Sequence, residues 1–112
     1  MPRKVPFNIA MELALTGDPI DAERAYHFGL VNRLCEPGTA LSTAMDLARQ
    51  IEANAPVAVR ASRRVIYAAM TEDEATGWHL SGQGMAEAMG SEDMKEGLTA
   101  FIEKRPAKWA GR

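Results

Sequence analysis

Several kinds of chemistry are excluded by what this sequence lacks. It has one cysteine, Cys35, so no intrachain disulfide can form, and that usage fits a reducing, cytoplasmic setting. Its two histidines, His27 and His79, have no second ligand type at helical spacing, because Leu30 and Val31 follow the first and Gly82 and Gln83 the second. No metal site is expected from them. No apolar run approaches the about 20 residues that a membrane span requires. The opening residues Met1-Pro2-Arg3-Lys4-Val5-Pro6 are basic but lead into no long apolar stretch, so they do not read as a signal peptide. A formal net charge of −2 implies no overall attraction to nucleic acid or to an acidic membrane surface. Gly82-Gln83-Gly84 begins like a dinucleotide fingerprint, but Glu87 stands where a glycine should and no strand precedes it. There is no nucleophile elbow or phosphate loop. Cys35 has no base near it in sequence and reads as a small buried hydrophobe. No residue is assigned a catalytic role.

What remains is an ordinary soluble mixture, 46% apolar and 25% charged over 112 residues, enough for one domain with a modest core. The expected fold class is mostly α: short helices plus one short extended segment. Val5, Ile9 and Leu13 recur at helical spacing to about Leu15, and Thr16-Gly17-Asp18-Pro19 breaks that helix. Asp21 caps a short helix that Gly29 ends, and Leu30-Val31-Asn32-Arg33-Leu34 reads as a short strand or extended segment. A helix capped by Thr39 carries Leu41, Ala44, Met45, Ala48 and Ile51. Pro56 suits the first position of the next helix, which runs to about Met70. Arg60, Arg63 and Arg64 share its polar side and read as a solvated or salt-bridged face, since no aromatic interleaving suggests nucleic acid. Thr71 and Glu74 form a capping box for a further helix. In that helix Ala75, Trp78, Gly82, Met85 and Met89 make a narrow seam suited to another helix, such as one from a second subunit. Gly77, Gly82 and Gly84 weaken it by roughly 1 kcal/mol each relative to Ala, which close contact or a kink must offset.

The densest signals lie at the end. Ser91 is a good N-cap, Glu92 and Asp93 suit the positive end of the helix dipole, and Lys104 and Arg105 suit the negative end. Met94, Leu98, Phe101 and Ile102 form one apolar stripe, and Pro106 stops the helix. Two readings follow. The stripe packs on a core, or Phe101 and Lys104, three apart on one helical face, meet a ligand with an apolar part and an anionic part. Trp109 in the short tail is either docked on a neighbouring surface or part of a binding rim.

Three blocks carry a family resemblance. Glu12-Leu13-Ala14-Leu15-Thr16-Gly17 is followed by Ile20-Asp21-Ala22-Glu23-Arg24-Ala25 and Gly29-Leu30-Val31-Asn32; Ala48 through Pro56 makes a second block; Ser91 through Arg105 makes the third. Their order and spacing resemble the C-terminal part of the enoyl-CoA hydratase/isomerase family, the crotonase superfamily. Pro2-Arg3 is similar to the end of an upstream motif of that family, so the chain reads as a truncated product or an alternative start.

The resemblance implies the helical trimerisation region of a crotonase-like α/β fold whose ββα core is absent. Residues 1–36 would end that core (helix, short helix, short strand), and residues 37–112 would form a C-terminal helical assembly domain. The family's oxyanion-holding N–H groups and its two glutamates map onto nothing in this sequence, so the segment is expected to be inactive alone. The implied ligand is an acyl-CoA or enoyl-CoA substrate rather than a resident cofactor, touched by Phe101 and Lys104. The implied partner is a further copy of the chain, as a trimer or a dimer of trimers. The rival reading is a stand-alone helical interaction module that does not bind CoA.

Overall fold

The computed structural model describes residues 5–112. Its helices are α1 (Phe7–Thr16), α2 (Ala22–His27), α3 (Ala40–Glu52), α4 (Pro56–Ala68), α5 (Glu74–Met89) and α6 (Glu92–Glu103). They fall into two compact units, one ending at Ala44 and the other running from Met45 to Arg112. Pro2-Arg3 lies outside the described residues.

In the first unit, Pro6 occupies the N-cap of α1, where its missing N–H costs nothing. Ile9 and Ala10 face inward with Val5. Gly17 ends α1 with φ of 70° and donates its N–H to the Leu13 carbonyl. Asp21 caps α2, accepting from the Arg24 N–H at 2.7 Å. The Arg24 guanidinium reaches back to both Glu12 carboxylate oxygens at 2.8 and 3.0 Å, joining α2 to α1. Gly29 closes α2 at φ of 72°. The Leu30 N–H then bonds the Ala25 carbonyl and the Gly29 N–H bonds that of Tyr26, the paired closure that a left-handed residue allows.

That closure overturns the short strand read at residues 30–34. Leu30 to Asn32 bend, the residues after them are irregular, and no strand forms among the described residues. A strand needs a neighbour to take its N–H and carbonyl groups, and Leu30 has already committed its N–H to the preceding helix. Cys35 is corrected with it: the thiol is exposed, because the irregular segment folds no surface over it.

In the second unit, α4 starts from Ala55, which has no side-chain acceptor, and Pro56, which has no N–H. The Val57 N–H is therefore an orphan donor of the helix start. It is taken from outside the helix, by Oδ2 of Asp93 at 3.3 Å. Asp93 is 1% exposed, and its Oδ1 accepts the Ala110 and Gly111 N–H groups, both at 2.8 Å. One carboxylate thus ties the start of α4, the first turn of α6 and the C-terminal tail. Arg60 adds a hydrogen bond to the Gly111 carbonyl, and Trp109 donates its indole N–H to Ala53 at 2.9 Å. The Trp109 ring lies against Gly97, where an added Cβ would sit 3.4 Å from it. Trp109 is docked on its own chain.

Helices α4 and α5 meet at Gly84, whose missing side chain lets Ala61 and Val65 approach to 3.4 and 3.5 Å of a Cβ position. Gly77 and Gly82 face open space, so close contact offsets the glycine cost at Gly84 alone within the chain. The start of α5 corrects the expected capping box. Asp73, not Thr71, is the N-cap and accepts from Thr76 at 2.7 Å. The Thr71 and Glu72 N–H groups instead bond the Ala68 carbonyl, finishing α4. Of the three arginines of α4, Arg64 alone forms an ion pair, with Glu87, while Arg60 bonds the Gly111 carbonyl and Arg63 lies over the Tyr67 ring at 4.7 Å.

Burial in the second unit is sparse. Val57, Ala61 and Ala100 are its buried apolar residues, and α3 buries none of its own. The inner face of α6 is Asp93, Gly97 and Ala100, while Leu98, Phe101 and Ile102 point outward. Of the stripe expected to seek a core, Met94 is half-buried and the other three are exposed, because the tail already occupies the opposite side. The α5 seam is exposed as well, with Trp78 72% accessible beside Met85 and Met89.

Replacing Asp93 with alanine strands the Val57, Ala110 and Gly111 N–H groups together. We expect Asp93→Ala to lower the melting temperature by at least about 5 °C and to loosen the tail. Calorimetry, with Glu72→Ala as a surface control, checks it; equal melting of both variants would remove Asp93 from its central role.

Candidate functional site

The chemistry-bearing surface left open lies where α6 ends. Ser91 starts this helix, accepting from the Met94 N–H at 3.1 Å while donating its hydroxyl to Ala88. Glu92 and Asp93 follow at the positive end of the helix dipole. The helix runs to Glu103, and Lys104 then adopts φ of 52° and ψ of 41°. The Lys104 N–H bonds Phe101 at 3.3 Å and the Arg105 N–H bonds Ala100 at 3.1 Å, the same paired closure seen after α2.

Lys104 is the one residue other than glycine with positive φ among the described residues. In that conformation the Cβ crowds the following carbonyl, at a cost of roughly 1–2 kcal/mol. Lys104 is therefore not on the helical face of Phe101, as the spacing suggested, but one residue past the helix end. The structure ties the two through the backbone hydrogen bond and leaves both exposed, Phe101 at 84%. Ile102 and Leu98 extend the apolar surface beside Phe101.

The two cations at this end differ. Arg105 places Nη1 and Nη2 on the Glu96 carboxylate at 2.6 and 3.1 Å and Nε on Glu103 at 2.6 Å. Glu96 also accepts the Lys108 N–H at 2.6 Å. The Arg105 hydrogen bonds, joined by that of Lys108, hold the Glu96 carboxyl at about 2, against an ordinary 4.5, despite partial desolvation. Glu96 and Glu103 in turn raise Arg105 above its usual range. Burial alone would raise the Asp93 carboxyl, but the N–H groups of Gly111, Val57 and Ala110, with Arg60 nearby, bring it below its usual value. The Lys104 ammonium, by contrast, takes no ion pair or hydrogen bond among the described residues. An exposed aromatic ring and an exposed lysine joined through one backbone turn can receive a ligand with a flat or apolar part and an anionic part.

Other groups do not converge. His79 is bonded to Gln83 at 3.0 Å on the same helix, and His27 stands edge-on to Phe28. Among the described residues no group of three or more His, Cys, Asp or Glu is arranged to hold a metal ion. No helix of the structure is long and apolar enough to cross a membrane. Sequence reasoning missed Asp93 and Glu96 as organising residues, crediting the acids near Ser91 to the helix dipole. One signal pointed to the first of them: a helix starting Ala55-Pro56 has no acceptor of its own and must borrow one.

Comparison with known proteins supplies a frame for this surface. A family model described as Enoyl-CoA hydratase/isomerase matches residues 1–112. A short-chain-enoyl-CoA hydratase of Clostridium acetobutylicum is 39% identical over 103 residues, covering 92% of this chain and 40% of that protein. The crystal structure of an enoyl-CoA hydratase from Mycobacterium tuberculosis H37Rv superposes with a TM-score of 0.94 at 46% identity, over 100% of this chain and 44% of that one. An enoyl-CoA hydratase from Bacillus anthracis gives a TM-score of 0.93 at 32% identity, over 99% of this chain and 43% of that one. The chain thus spans less than half the length of the relatives it matches.

Because the depressed carboxyls bind protons more weakly folded than unfolded, their stabilisation is complete above the unfolded values and lost as pH falls through the folded ones. For Glu96 this window runs from 4.5 down to about 2. We expect melting temperature to fall across it. Circular dichroism of Glu96→Gln should show a flatter acid limb; an unchanged limb would mean the Glu96–Arg105 pair contributes nothing to it.

Proposed function

The chain belongs to the enoyl-CoA hydratase/isomerase family, and we propose that it supplies the C-terminal helical part of such an enzyme. In this reading it serves oligomer assembly and part of the CoA site, and these 112 residues do not turn over substrate by themselves. The reaction served is addition of water to, or isomerisation of, a 2-enoyl-CoA in fatty acyl-CoA metabolism. The setting is the cytoplasm, where a lone exposed thiol such as Cys35 stays reduced.

One observation carries the reading: a fold match at a TM-score of 0.94 and 46% identity over the full chain to an enoyl-CoA hydratase. The surface at the end of α6 agrees with it. Coenzyme A joins an adenine and an apolar pantetheine arm to phosphates. Phe101 would stack on the flat or apolar part, and Lys104 would meet a phosphate as a mobile point charge. No oxyanion hole is recognisable in these residues, and such donors supply a large share of acyl-thioester catalysis. Assembly has its own support. Trp78, Met85 and Met89 of α5, with Leu98 and Ile102 of α6, are large apolar side chains left exposed, the kind of surface that an interface covers.

Crotonyl-CoA offered to the pure chain should keep its conjugated-thioester absorbance; steady loss of that absorbance would refute inactivity. Calorimetric titration with CoA should show Lys104→Ala binding about ten-fold more weakly, the size of one charge-assisted contact. Affinity indifferent to that substitution would favour a helical interaction module without CoA. Light scattering should find oligomers of the chain, and a monodisperse monomer would count against the assembly role.

A further inference from the structure

Among the described residues, positive φ marks the turn after three helices: Gly17 caps α1, Gly29 follows the Phe28 cap of α2, and Lys104 caps α6. Glycine takes that conformation freely, so the first two turns need no help. Lysine does not, and a residue held there persists only when its surroundings over-determine it. The α6 turn is also where the next residue is gripped by a carboxylate from within the same helix. Glu96 holds the Arg105 guanidinium through two oxygens and the Lys108 N–H through one of them. The turn is thereby fixed on its far side while its backbone closure fixes the near side.

We propose that Glu96 is the positioning residue of the Phe101–Lys104 site: by clamping Arg105 it holds Lys104 in the left-handed turn and leaves that lysine as the cation free for an anionic ligand. This rests on the reading of that surface as part of a CoA site. Two adjacent cations stand at the helix end, and either could meet a phosphate on charge alone. The clamp divides their labour. Arg105 is consumed on Glu96, Glu103 and the Pro106 carbonyl. The Lys104 ammonium takes no partner among the described residues. A glycine at position 104 would make the turn more easily but would carry no charge. The lysine gives up conformational ease for a cation at a defined place beside Phe101, and Glu96 makes that exchange tolerable.

The test uses the full chain and reads the backbone of residue 104 directly. Positive φ brings the amide and α protons of one residue close, giving a strong intraresidue nuclear Overhauser effect. We expect that signature in the unsubstituted chain and its loss in Glu96→Ala, with the helical circular dichroism retained. Residue 104 remaining left-handed in both Glu96→Ala and Glu96→Gln would overturn the proposal. Should Glu96→Ala fold poorly, Lys104→Gly in the same chain should raise its melting temperature by removing the need for a clamp; no rescue counts against it. In titrations with CoA, Glu96→Ala should weaken binding about ten-fold, and adding Lys104→Ala should weaken it no further. Fully additive losses would reduce Glu96 to a general structural role. If CoA affinity is equal with and without Lys104, the ligand reading fails, while the backbone signature still decides the clamp.

Discussion

The second unit depends on one buried carboxylate. Asp93 lies in the first turn of α6, yet its oxygens serve a different helix and the tail rather than the N–H groups of its own. Helix α4 begins with Ala55 and Pro56 and cannot complete its own first turn, so the acceptor has to arrive through tertiary structure. The same carboxylate receives two successive N–H groups from the tail, and the Glu92 N–H donates to the Arg112 carbonyl beside them at 2.7 Å. Such a hub works because a carboxylate offers several lone pairs and no donor, and because each bond lowers the cost of keeping it charged away from water.

The consequences run outward from that tie. With the tail and Trp109 covering the Gly97 side of α6, the helix turns its other side to solvent, and Leu98, Phe101 and Ile102 stand there among Lys95, Thr99 and Glu103. The α4–α5 contact at Gly84 is made by small residues and buries little. The chain therefore holds its shape through polar ties and glycine-mediated contact more than through a large core, and shows much of its apolar surface. Surface of this kind belongs against something else.

Helix positions were legible in the sequence where a single residue type decides them. Gly17 and Gly29 stop helices because the left-handed turn excludes side chains at low cost, Pro56 opens one, and Asp21 and Ser91 cap two more. The misreadings share a cause. Leu30 to Leu34 is apolar and β-branched enough for a strand, but strands are made by neighbours and none is present among the described residues. Thr71 and Glu74 fit a capping box, but Asp73 is the better cap and the Ala68 carbonyl claimed the Thr71 N–H first. Cys35 was read as buried on residue type, whereas burial is a property of what packs around it.

The candidate site divides the same way. Phe101 and Lys104 could be singled out by residue chemistry and resemblance, since an aromatic and a lysine near a helix end are visible in one dimension. Their relation could not. Helical spacing put them on one face, and the structure moved Lys104 into a left-handed turn beyond the helix. What the sequence by itself determined was local: helix starts and stops, the arginine face of α4, and a family pattern spread along the whole chain. Which acid caps which helix, which cation is bound and which is free, and which apolar stripe turns outward were decided only by tertiary structure. The ties that decide most of this join groups 9 to 56 residues apart, from the Glu96–Arg105 clamp to the Trp109–Ala53 bond, while the Asp73 cap is local and was settled by competition with the end of α4. Only folding sets such distances, and the physical signal is the partner rather than the residue.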